Sequence, residues 1–358
     1  MRKILCWAVL LLFTVVYALS SSTDFMKSVT RKRYAMYSPF GSDKYKYGDL
    51  YGLSYLQPFK IPQDGGGVEG KTPDGEAEAP AYCGKSGRKR DIDLYSICDS
   101  YLFLFVKSNQ EFCRGNKYSY KRSIDYGHLN VHLDKSKINV LLIERTERSV
   151  REALRDMTLE TSLLPADQEE LVITPNRAPT NFRLNKEINY NLEFNLFDYK
   201  FLTPVKEFKA WLNYKVFGRT DPMVRVSQDN SRLYFSETMD TSGYTSSVVP
   251  LSDAVIDTCV SNLNKLYAHY KAMGFDYIYF CTIPNPCTML EKEHIQYNNF
   301  IPRLQNNPAL KVPVIDMYSL FAEDPQNIYS RSDTHWNRNG YSRWLQKFNN
   351  VLDTIPGK

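Results

Sequence analysis

Apolar residues in the C-terminal two thirds of the chain follow the spacings that distinguish buried strands from amphipathic helices. Four short apolar runs have the length expected of buried strands. The first run begins near Ile92, and the other three cover Val140–Ile143, Tyr277–Ile283 and Val312–Ile315. The first of these runs continues into a further apolar stretch, so its end is set by the polar residues near position 100.

Helical spacing of apolar residues appears between and after these strands. Four helices are predicted over 150–157, 204–217, 255–273 and 341–352. Pro204 suits the first turn of its helix, and Gly218 and Gly274 suit the positions at which two of the helices end. Because strands and helices alternate, the sequence predicts an α/β fold, a three-layer α/β/α sandwich around a parallel central sheet.

The N-terminus has the layout of a secretory signal. An Arg-Lys pair precedes an apolar stretch from Ile4 to Leu19, which is typical of signal sequences. Cleavage after Ser20 is compatible with the small residues there, and an uncleaved membrane anchor is the alternative, although the run is short for a span of about 20 residues. The sequence therefore predicts export, with residues 1–20 as a signal peptide or membrane anchor.

Residues 21–90 are predicted to form an N-terminal extension with a flexible loop. Gly, Pro and acidic residues are concentrated between Asp64 and Pro80, which is typical of a loop. Aromatic residues spaced through the earlier part could lie against the core as a strap; they are Tyr45, Tyr47, Tyr51, Tyr55 and Phe59. The main domain is predicted over 91–358, with an insertion at about 159–250 that could shape a substrate cleft.

Composition and charge restrict the classes of partner. The chain has 358 residues, enough for a substantial core. Its 45 basic and 40 acidic residues give a net charge of +5 and are well mixed, so no basic stripe for nucleic acid is indicated and no nucleic-acid partner is predicted. The charged run at 144–148 is expected to provide helix caps and surface charge.

Six cysteines remain once Cys6 is assigned to the apolar N-terminal run. An even number of cysteines in an oxidising compartment permits disulfides. Cys281 and Cys287 are close enough in sequence to close the loop between them, and Cys83 and Cys113 bracket the first predicted strand. The cysteines lack the spacing of zinc ligands and the five histidines are scattered, so no metal and no cofactor are predicted.

Asp333 and His335 are separated by one residue, in a polar segment that runs directly into the last predicted helix. A carboxylate beside an imidazole is the arrangement that orients a general base. Ser100 stands where the first strand can end, and the C-terminal edge of a parallel strand faces a cleft. The alternative is structural: Ser100 would cap a helix or lie within a buried strand, Asp333 and Asn337 would be helix caps, and His335 would lie on the surface.

Two short motifs carry a resemblance to a known family. Asp-Ser-Tyr (99–101) after a strand, followed much later by Asp-Thr-His-Trp (333–336), resembles the SGNH hydrolase superfamily. Within it, the chain is most similar to polysaccharide O-acetyltransferase-like proteins related to the alginate acetylation enzymes. The resemblance covers roughly Asp91 to the C-terminus. It implies an SGNH hydrolase-like, flavodoxin-like sheet, a polysaccharide or another acylated glycan as substrate, and a membrane-bound acyl donor as a candidate partner.

The same resemblance implies donors for the oxyanion that forms during acyl transfer. The Ser100 N–H is one, and Asn285 is another, because the family places an asparagine in a loop after a strand; between two prolines Asn285 could instead form a turn. Cys98 stands where the family has a glycine. The glycine that supplies a further donor in the family is not identified, and Gly115 and Gly127 are the candidates. In some members of this branch the Asp-x-His motif precedes the serine, whereas here it follows.

The sequence thus predicts an exported serine-dependent acyl esterase or O-acyltransferase that acts on a cell-envelope or extracellular polysaccharide. Ser100 would attack the acyl carbon, His335 would take and return the proton, and Asp333 would fix the imidazole tautomer. The alternative is a non-catalytic glycan-binding or scaffold protein with a degenerate site. Cys98 and the unidentified glycine favour that alternative.

Overall fold

The computed structural model describes residues 2–34, 36, 38–62, 90–125, 127–166 and 188–357. Among these residues it has nine strands. They are β1 (Ile92–Cys98), β2 (Gly115–Arg122), β3 (Leu129–Val131), β4 (Ile138–Thr146), β5 (Leu163–Pro165), β6 (Val224–Val226), β7 (Leu233–Phe235), β8 (Tyr277–Ile283) and β9 (Val314–Ile315).

Twelve α-helices connect and cover these strands in the described part of the chain. They are α1 (Arg2–Ser21), α2 (Thr23–Tyr34), α3 (Asp49–Ser54), α4 (Ser100–Phe103), α5 (Glu147–Arg155), α6 (Ile188–Phe197), α7 (Thr203–Phe217), α8 (Asp253–Met273), α9 (Pro286–Leu290), α10 (Phe300–Gln305), α11 (Met317–Ala322) and α12 (Arg338–Thr354).

Five strands form the central sheet, in the order β2-β1-β4-β8-β9, and every neighbouring pair is parallel. This is the order of the flavodoxin-like class of doubly wound sheets. The chain leaves β1 toward one edge and later returns to build toward the other, so the direction of winding reverses between β1 and β4. In open parallel sheets the carboxyl ends of the strands at such a reversal border the ligand-binding crevice.

Helices cover both faces of the sheet, because each central strand is buried on both sides. Leu94, Val140 and Leu142 face one core cluster, together with residues of α11 and α12. Leu141 and Ile143 face the other cluster, with residues of α5, α8 and α10. The predicted three-layer α/β/α sandwich with a parallel sheet is therefore confirmed.

The predicted and observed ends of the elements agree best where a glycine ends a helix. Gly218 and Gly274 follow α7 and α8 with φ of 61° and 110°, in the left-handed region that glycine adopts without steric cost. The structure adds β2, an edge strand that the apolar pattern missed, since its sequence GNKYSYKR is mostly polar. Charged residues are typical of sheet edges, where they discourage pairing with other chains.

The run 144–148 is not the surface charge that we expected. β4 extends to Thr146, so Glu144, Arg145 and Glu147 are all buried at the carboxyl end of the sheet. Tertiary packing buries these charged side chains, and each of them then needs a partner to offset the loss of hydration.

The predicted insertion and the N-terminal segment both carry regular structure where they are described. Residues 188–250 contain α6, α7 and an antiparallel hairpin of β6 and β7. Residues 38–62 contain α3, which packs with this hairpin around a small core of Leu50, Leu56, Phe59, Val224 and Leu233. The loop predicted between Asp64 and Pro80 lies outside the described residues.

The predicted bridge between Cys281 and Cys287 is wrong, because both are free thiols. Cys281 lies within β8, with its side chain in the core cluster that contains Trp344. Cys287 lies in the first turn of α9, where its thiol donates to Thr238 Oγ1 at 3.3 Å. Cys113 is disulfide-bonded; Cys83 lies outside the described residues.

α1 is the helix that corresponds to the apolar N-terminal run. Among the described residues it is the one helix that is long and apolar enough to cross a membrane, judged by length and composition. A signal sequence has the same properties.

Candidate active site

Ser100, His335 and Asp333 lie side by side at the carboxyl end of β1. The Ser100 Oγ is 2.7 Å from His335 Nε2, and His335 Nδ1 is 2.6 Å from Asp333 Oδ1. Both distances are those of hydrogen bonds. The structure therefore joins two segments that are 233 residues apart into one chain of hydrogen bonds.

A tight loop presents His335 to the serine. Tyr329 and Trp336 form an antiparallel bridge, and the Ser330 N–H donates to the His335 carbonyl at 3.1 Å. The indole of Trp336 is buried among aromatic rings, including that of Tyr101 at 5.2 Å between centroids. A buried tryptophan of this kind typically contributes about 3–5 kcal/mol, so the loop is anchored immediately next to the histidine.

Asn337 begins α12 directly after this loop. Its side-chain Oδ1 accepts a hydrogen bond from the Gly340 N–H at 3.0 Å, which caps the helix. The imidazole thus lies one residue before a buried aromatic anchor and two residues before a helix cap, so the backbone that carries it is held at a short distance from both.

Asp99 fixes the position of the serine from below. Its Oδ2 accepts hydrogen bonds from the Thr146 N–H at 2.8 Å, the Thr146 hydroxyl at 2.9 Å and the Ser149 hydroxyl at 2.7 Å. Arg145 Nη1 lies 2.9 Å from Asp99 Oδ1. Asp99 therefore joins the end of β1 to the end of β4 and the start of α5, across the point where the winding of the sheet reverses.

The pKa of the Asp99 carboxyl is lowered in this setting. Burial raises it, but the charge of Arg145 and the hydrogen bonds from Ser123, Thr146 and Ser149 outweigh that effect. The carboxylate of Asp99 is taken up by these structural contacts, which leaves Ser100 as the candidate nucleophile of the Asp-Ser pair.

Glu144 completes the support of the strand end. Its Oε2 accepts a hydrogen bond from the Asp99 N–H at 2.8 Å. Burial, with the negative charge of Asp99, raises the pKa of Glu144 well above its usual value. A protonated carboxyl in this position avoids placing two like charges together in the core.

A second carboxylate reaches the site from the N-terminal segment, and sequence reasoning missed it. Asp49 Oδ1 accepts a hydrogen bond from the Thr334 N–H at 2.7 Å, and the Asp49 N–H donates to Asp333 Oδ2 at 2.9 Å. Asp49 Oδ2 lies 3.9 Å from His335 Nδ1. No local pattern around Asp49 points to this contact, because its partners are about 285 residues away in the chain.

Gly48 explains how the two segments come so close. Its φ is 99°, and a Cβ at this position would lie 2.2 Å from the Ser332 carbonyl oxygen and 3.0 Å from the Asp333 Cβ. Any side chain would therefore push the N-terminal segment away from the loop that carries His335. The Tyr51 N–H also donates to the Ser332 carbonyl, at 3.1 Å.

The charges of the site set the pKa of His335. Burial lowers it, but the charge and hydrogen bond of Asp333 and the charge of Asp49 outweigh burial, so the pKa of His335 lies above its ordinary value. Burial raises the pKa of Asp333, but the charge and hydrogen bonds of His335 outweigh it, and the net shift is downward. The pKa of Asp49 is raised, first by burial and then by the charge of Asp333. Of the two carboxyls, Asp333 therefore ionises at the lower pH, and it is the one paired directly with the imidazole.

The candidates for the oxyanion site fall in three different places. Asn285 is buried as the N-cap residue of α9, and its Nδ2 donates to Ser247 Oγ at 2.9 Å. Gly115 starts β2 opposite Ile92, at the amino end of the sheet, so the structure excludes it as a neighbour of Ser100. Gly127 follows β2, on the same side of the sheet as the serine. The oxyanion roles of Asn285 and of the Ser100 N–H stay predictions.

Asp49, Asp333 and His335 are also the residues that could hold a metal ion. One ligand atom from each lies within 4.8 Å of the others. In this arrangement, however, His335 Nδ1 already pairs with Asp333 Oδ1, and both oxygens of Asp49 accept hydrogen bonds from Thr334. The donor atoms are thus used to orient the imidazole.

Comparison with models of protein families, with curated proteins and with solved structures gives no match at the threshold applied. The resemblance to the SGNH hydrolases consequently rests on the motifs around Ser100 and His335.

Proposed function

We propose that the chain is an exported serine-dependent acyl esterase or O-acyltransferase of the SGNH hydrolase type. The observation that carries this proposal is the relay from Ser100 through His335 to Asp333, with distances of 2.7 and 2.6 Å. A serine hydroxyl is a weak nucleophile until a base removes its proton. An imidazole whose other nitrogen is paired with a carboxylate is such a base.

In the proposed mechanism the Ser100 oxygen attacks the carbonyl carbon of an ester while His335 Nε2 takes its proton. The positive charge that forms on the imidazole is stabilised by Asp333 and, at longer range, by Asp49. His335 then returns the proton to the leaving alcohol, and an acyl-serine remains. Water as the next acceptor completes hydrolysis, whereas a sugar hydroxyl completes transfer.

Asp49 is a positioning residue in this proposal. It holds Thr334 through two hydrogen bonds and donates its N–H to Asp333, so it restrains the acid of the pair and the residue between the acid and the imidazole. The N-terminal segment is then a part of the active site and not an appendage.

The substrate class comes from the resemblance, which implies an acylated cell-envelope or extracellular polysaccharide and a membrane-bound acyl donor as partner. An apolar N-terminal helix supports a location in the periplasm or cell envelope. The non-catalytic glycan-binding alternative drew its support from Cys98 and from the unidentified glycine. The Cys98 side chain is fully buried in the core, so its substitution for glycine is accommodated by packing.

A fluorophosphonate probe tests the proposal, because it reacts with an activated serine and needs no knowledge of the substrate. The full chain should be labelled and should hydrolyse a short acyl ester, and Ser100→Ala should abolish both. Ser342→Ala, which changes an exposed serine on α12, should leave both unchanged. Equal labelling of the wild-type and Ser100→Ala proteins would leave the binding alternative as the better description.

A further inference from the structure

α7 packs on the protein through one face only. Ala210 and Tyr214 pack against the small core that α3 shares with the β6–β7 hairpin. On the same side of the helix, Glu207 accepts a hydrogen bond from the Tyr51 hydroxyl, and its Oε1 forms an ion pair with Lys60 Nζ at 2.7 Å. This face is sufficient to hold α7, yet it carries few of the helix's large apolar residues.

The opposite face of α7 is strongly apolar and exposed. It consists of Val205, Phe208, Leu212 and Val216, with exposed fractions of 65, 62, 37 and 59%. Spacings of three and four residues place these four side chains on one stripe. The apolar pattern predicted this stripe as one face of a helix, but the structure turns it away from the core. We call it the α7 outer face.

Further exposed aromatic residues lie at the end of α6 and in the segment that leads into α7. Phe197 ends α6, and Phe201 follows it; their exposed fractions are 55 and 51%. Phe201 makes an edge contact with the exposed ring of Phe40, at 5.9 Å between centroids. Single exposed apolar residues are ordinary on soluble proteins, but a continuous apolar surface marks an interaction site.

The apolar helix α1 is attached to the same region. Ser20, near the end of α1, is buried, and its carbonyl accepts a hydrogen bond from Asn191 Nδ2 at 2.8 Å. The Ser20 hydroxyl accepts another from Asn195 Nδ2 at 2.9 Å. Both asparagines belong to α6, and Asn195 is two residues from Phe197. α1 thus leaves the protein beside the exposed aromatic residues.

These hydrogen bonds also bear on whether α1 is removed. Cleavage after Ser20 would take away the acceptors of the two asparagines, and Asn191 is buried. A buried polar group that is left without its partner destabilises the fold. α1 rises about 30 Å over its 20 residues, and the apolar run from Ile4 to Leu19 accounts for about 24 Å of this rise, a little less than the hydrocarbon thickness of a typical bilayer.

Basic residues accompany the apolar surface. The exposed ones on α2, directly after α1, and on α7 are Lys27, Arg31, Lys32, Lys209 and Lys215. Long basic side chains beside apolar surface can place their charges at the level of lipid headgroups. Each such residue near an anionic membrane adds to the attraction between the protein and the lipid headgroups.

We propose that α1 is retained as a membrane anchor and that the α7 outer face lies in the headgroup region of the same bilayer. The occupant of the exposed surface is therefore lipid. Apolar and aromatic residues on one side of a helix with lysines along it are typical of helices that lie in the plane of the interface. The α1–α6 hydrogen bonds bring this surface to the point where the anchor enters the membrane. This inference does not depend on the proposed catalysis.

Trp211 provides a direct test, because it lies in α7 and is 48% exposed. The full chain with Trp7→Phe would be inserted in phosphatidylcholine–phosphatidylglycerol vesicles with brominated acyl chains, which quench tryptophan on contact. Trp211 is then one of three tryptophans, and Trp336 and Trp344 are buried. We expect the emission to fall by up to about a third relative to vesicles without bromine. The double variant Trp7→Phe/Trp211→Phe should show no such fall.

Equal quenching of the single and double variants would overturn the proposal. It would do so also if cross-linking then showed that a second copy of the chain covers the α7 outer face. In the Trp7→Phe chain, Phe208→Glu should reduce the quenching, and Val255→Glu should not, since Val255 is an exposed valine on α8. The intact mass of the membrane-bound protein should include residues 1–20, and a mature chain that begins after Ser20 would refute retention of the anchor.

Discussion

His335 is surrounded by groups that influence its protonation in opposite directions. Burial disfavours the imidazolium, whereas Asp333 at 2.6 Å and Asp49 at 3.9 Å favour it, and the net effect is a raised pKa. A general base acts in its neutral form, so kcat/KM should decline as the pH falls through this pKa. If the proposed mechanism holds, Asp49 should therefore contribute to the acid limit of the pH profile, although no hydrogen bond joins it to the serine.

Asp49→Asn should shift that acid limit. An asparagine oxygen can still accept the hydrogen bond from Thr334, but the negative charge is lost, so the pKa of His335 should fall. The acid limb of kcat/KM on a short acyl ester should move to lower pH by about one unit. Asp43→Asn is the matched control, because Asp43 belongs to the same segment and pairs with Lys200 at 3.8 Å. An unmoved limb, or an equal shift in both variants, would show that Asp49 does not act through its charge.

At the scale of elements, the site depends on two boundaries, the residue at which β1 ends and the residue at which α12 begins. Asp99 clamps the end of β1 to β4 and α5, and Asn337 caps α12 two residues after His335. Both positions are recognisable as cap or turn chemistry in the sequence. Asp333, the other candidate for a helix cap, does not cap α12. Its carboxylate accepts hydrogen bonds from the N–H groups of Asp49 and His335.

Asn337→Ala should lower the free energy of unfolding by about 1 kcal/mol, because the Gly340 N–H loses its acceptor. Urea unfolding would measure the change. Asn337→Asp keeps an oxygen acceptor at the cap and places a negative charge at a helix N-terminus, so it should be close to the wild type. If the two variants lose the same stability, the cap is not what Asn337 contributes.

At the scale of the whole molecule, the sheet order brings the distant motifs to one place. The serine follows β1, at the reversal of winding between β1 and β4, and the loop with His335 follows the last strand. The resulting core is lined by thiols as well as apolar side chains. Cys98 and Cys281 lie in the cluster beneath the site, and burial raises the pKa of both thiols.

These thiols make the cysteine assignment testable. After denaturation without reductant, iodoacetamide should alkylate Cys98, Cys259, Cys281 and Cys287, which are free, whereas Cys113 should react only after reduction. Peptide mapping by mass spectrometry would read out each site. A peptide that joins Cys281 to Cys287 would contradict the structure.

The sequence alone determined the features that depend on near neighbours in the chain. The periods of apolar residues predicted four of the five strands of the central sheet and its main helices, glycines predicted two helix ends, and the motifs singled out Ser100, Asp333 and His335 as candidates. Side-chain spacing and backbone freedom are local properties, so a local pattern can encode them.

Only the tertiary structure decided which remote segments meet. Gly48 and Asp49 lie at the site because the fold brings residue 49 into contact with residue 334, and no periodicity of residue types in the sequence indicates that contact. The same holds for the apolar stripe of α7, which faces outward, and for Cys281 and Cys287, which enter different surroundings. Whether a face is buried or two thiols can bond depends on what the rest of the fold places opposite them, and sequence spacing does not specify it.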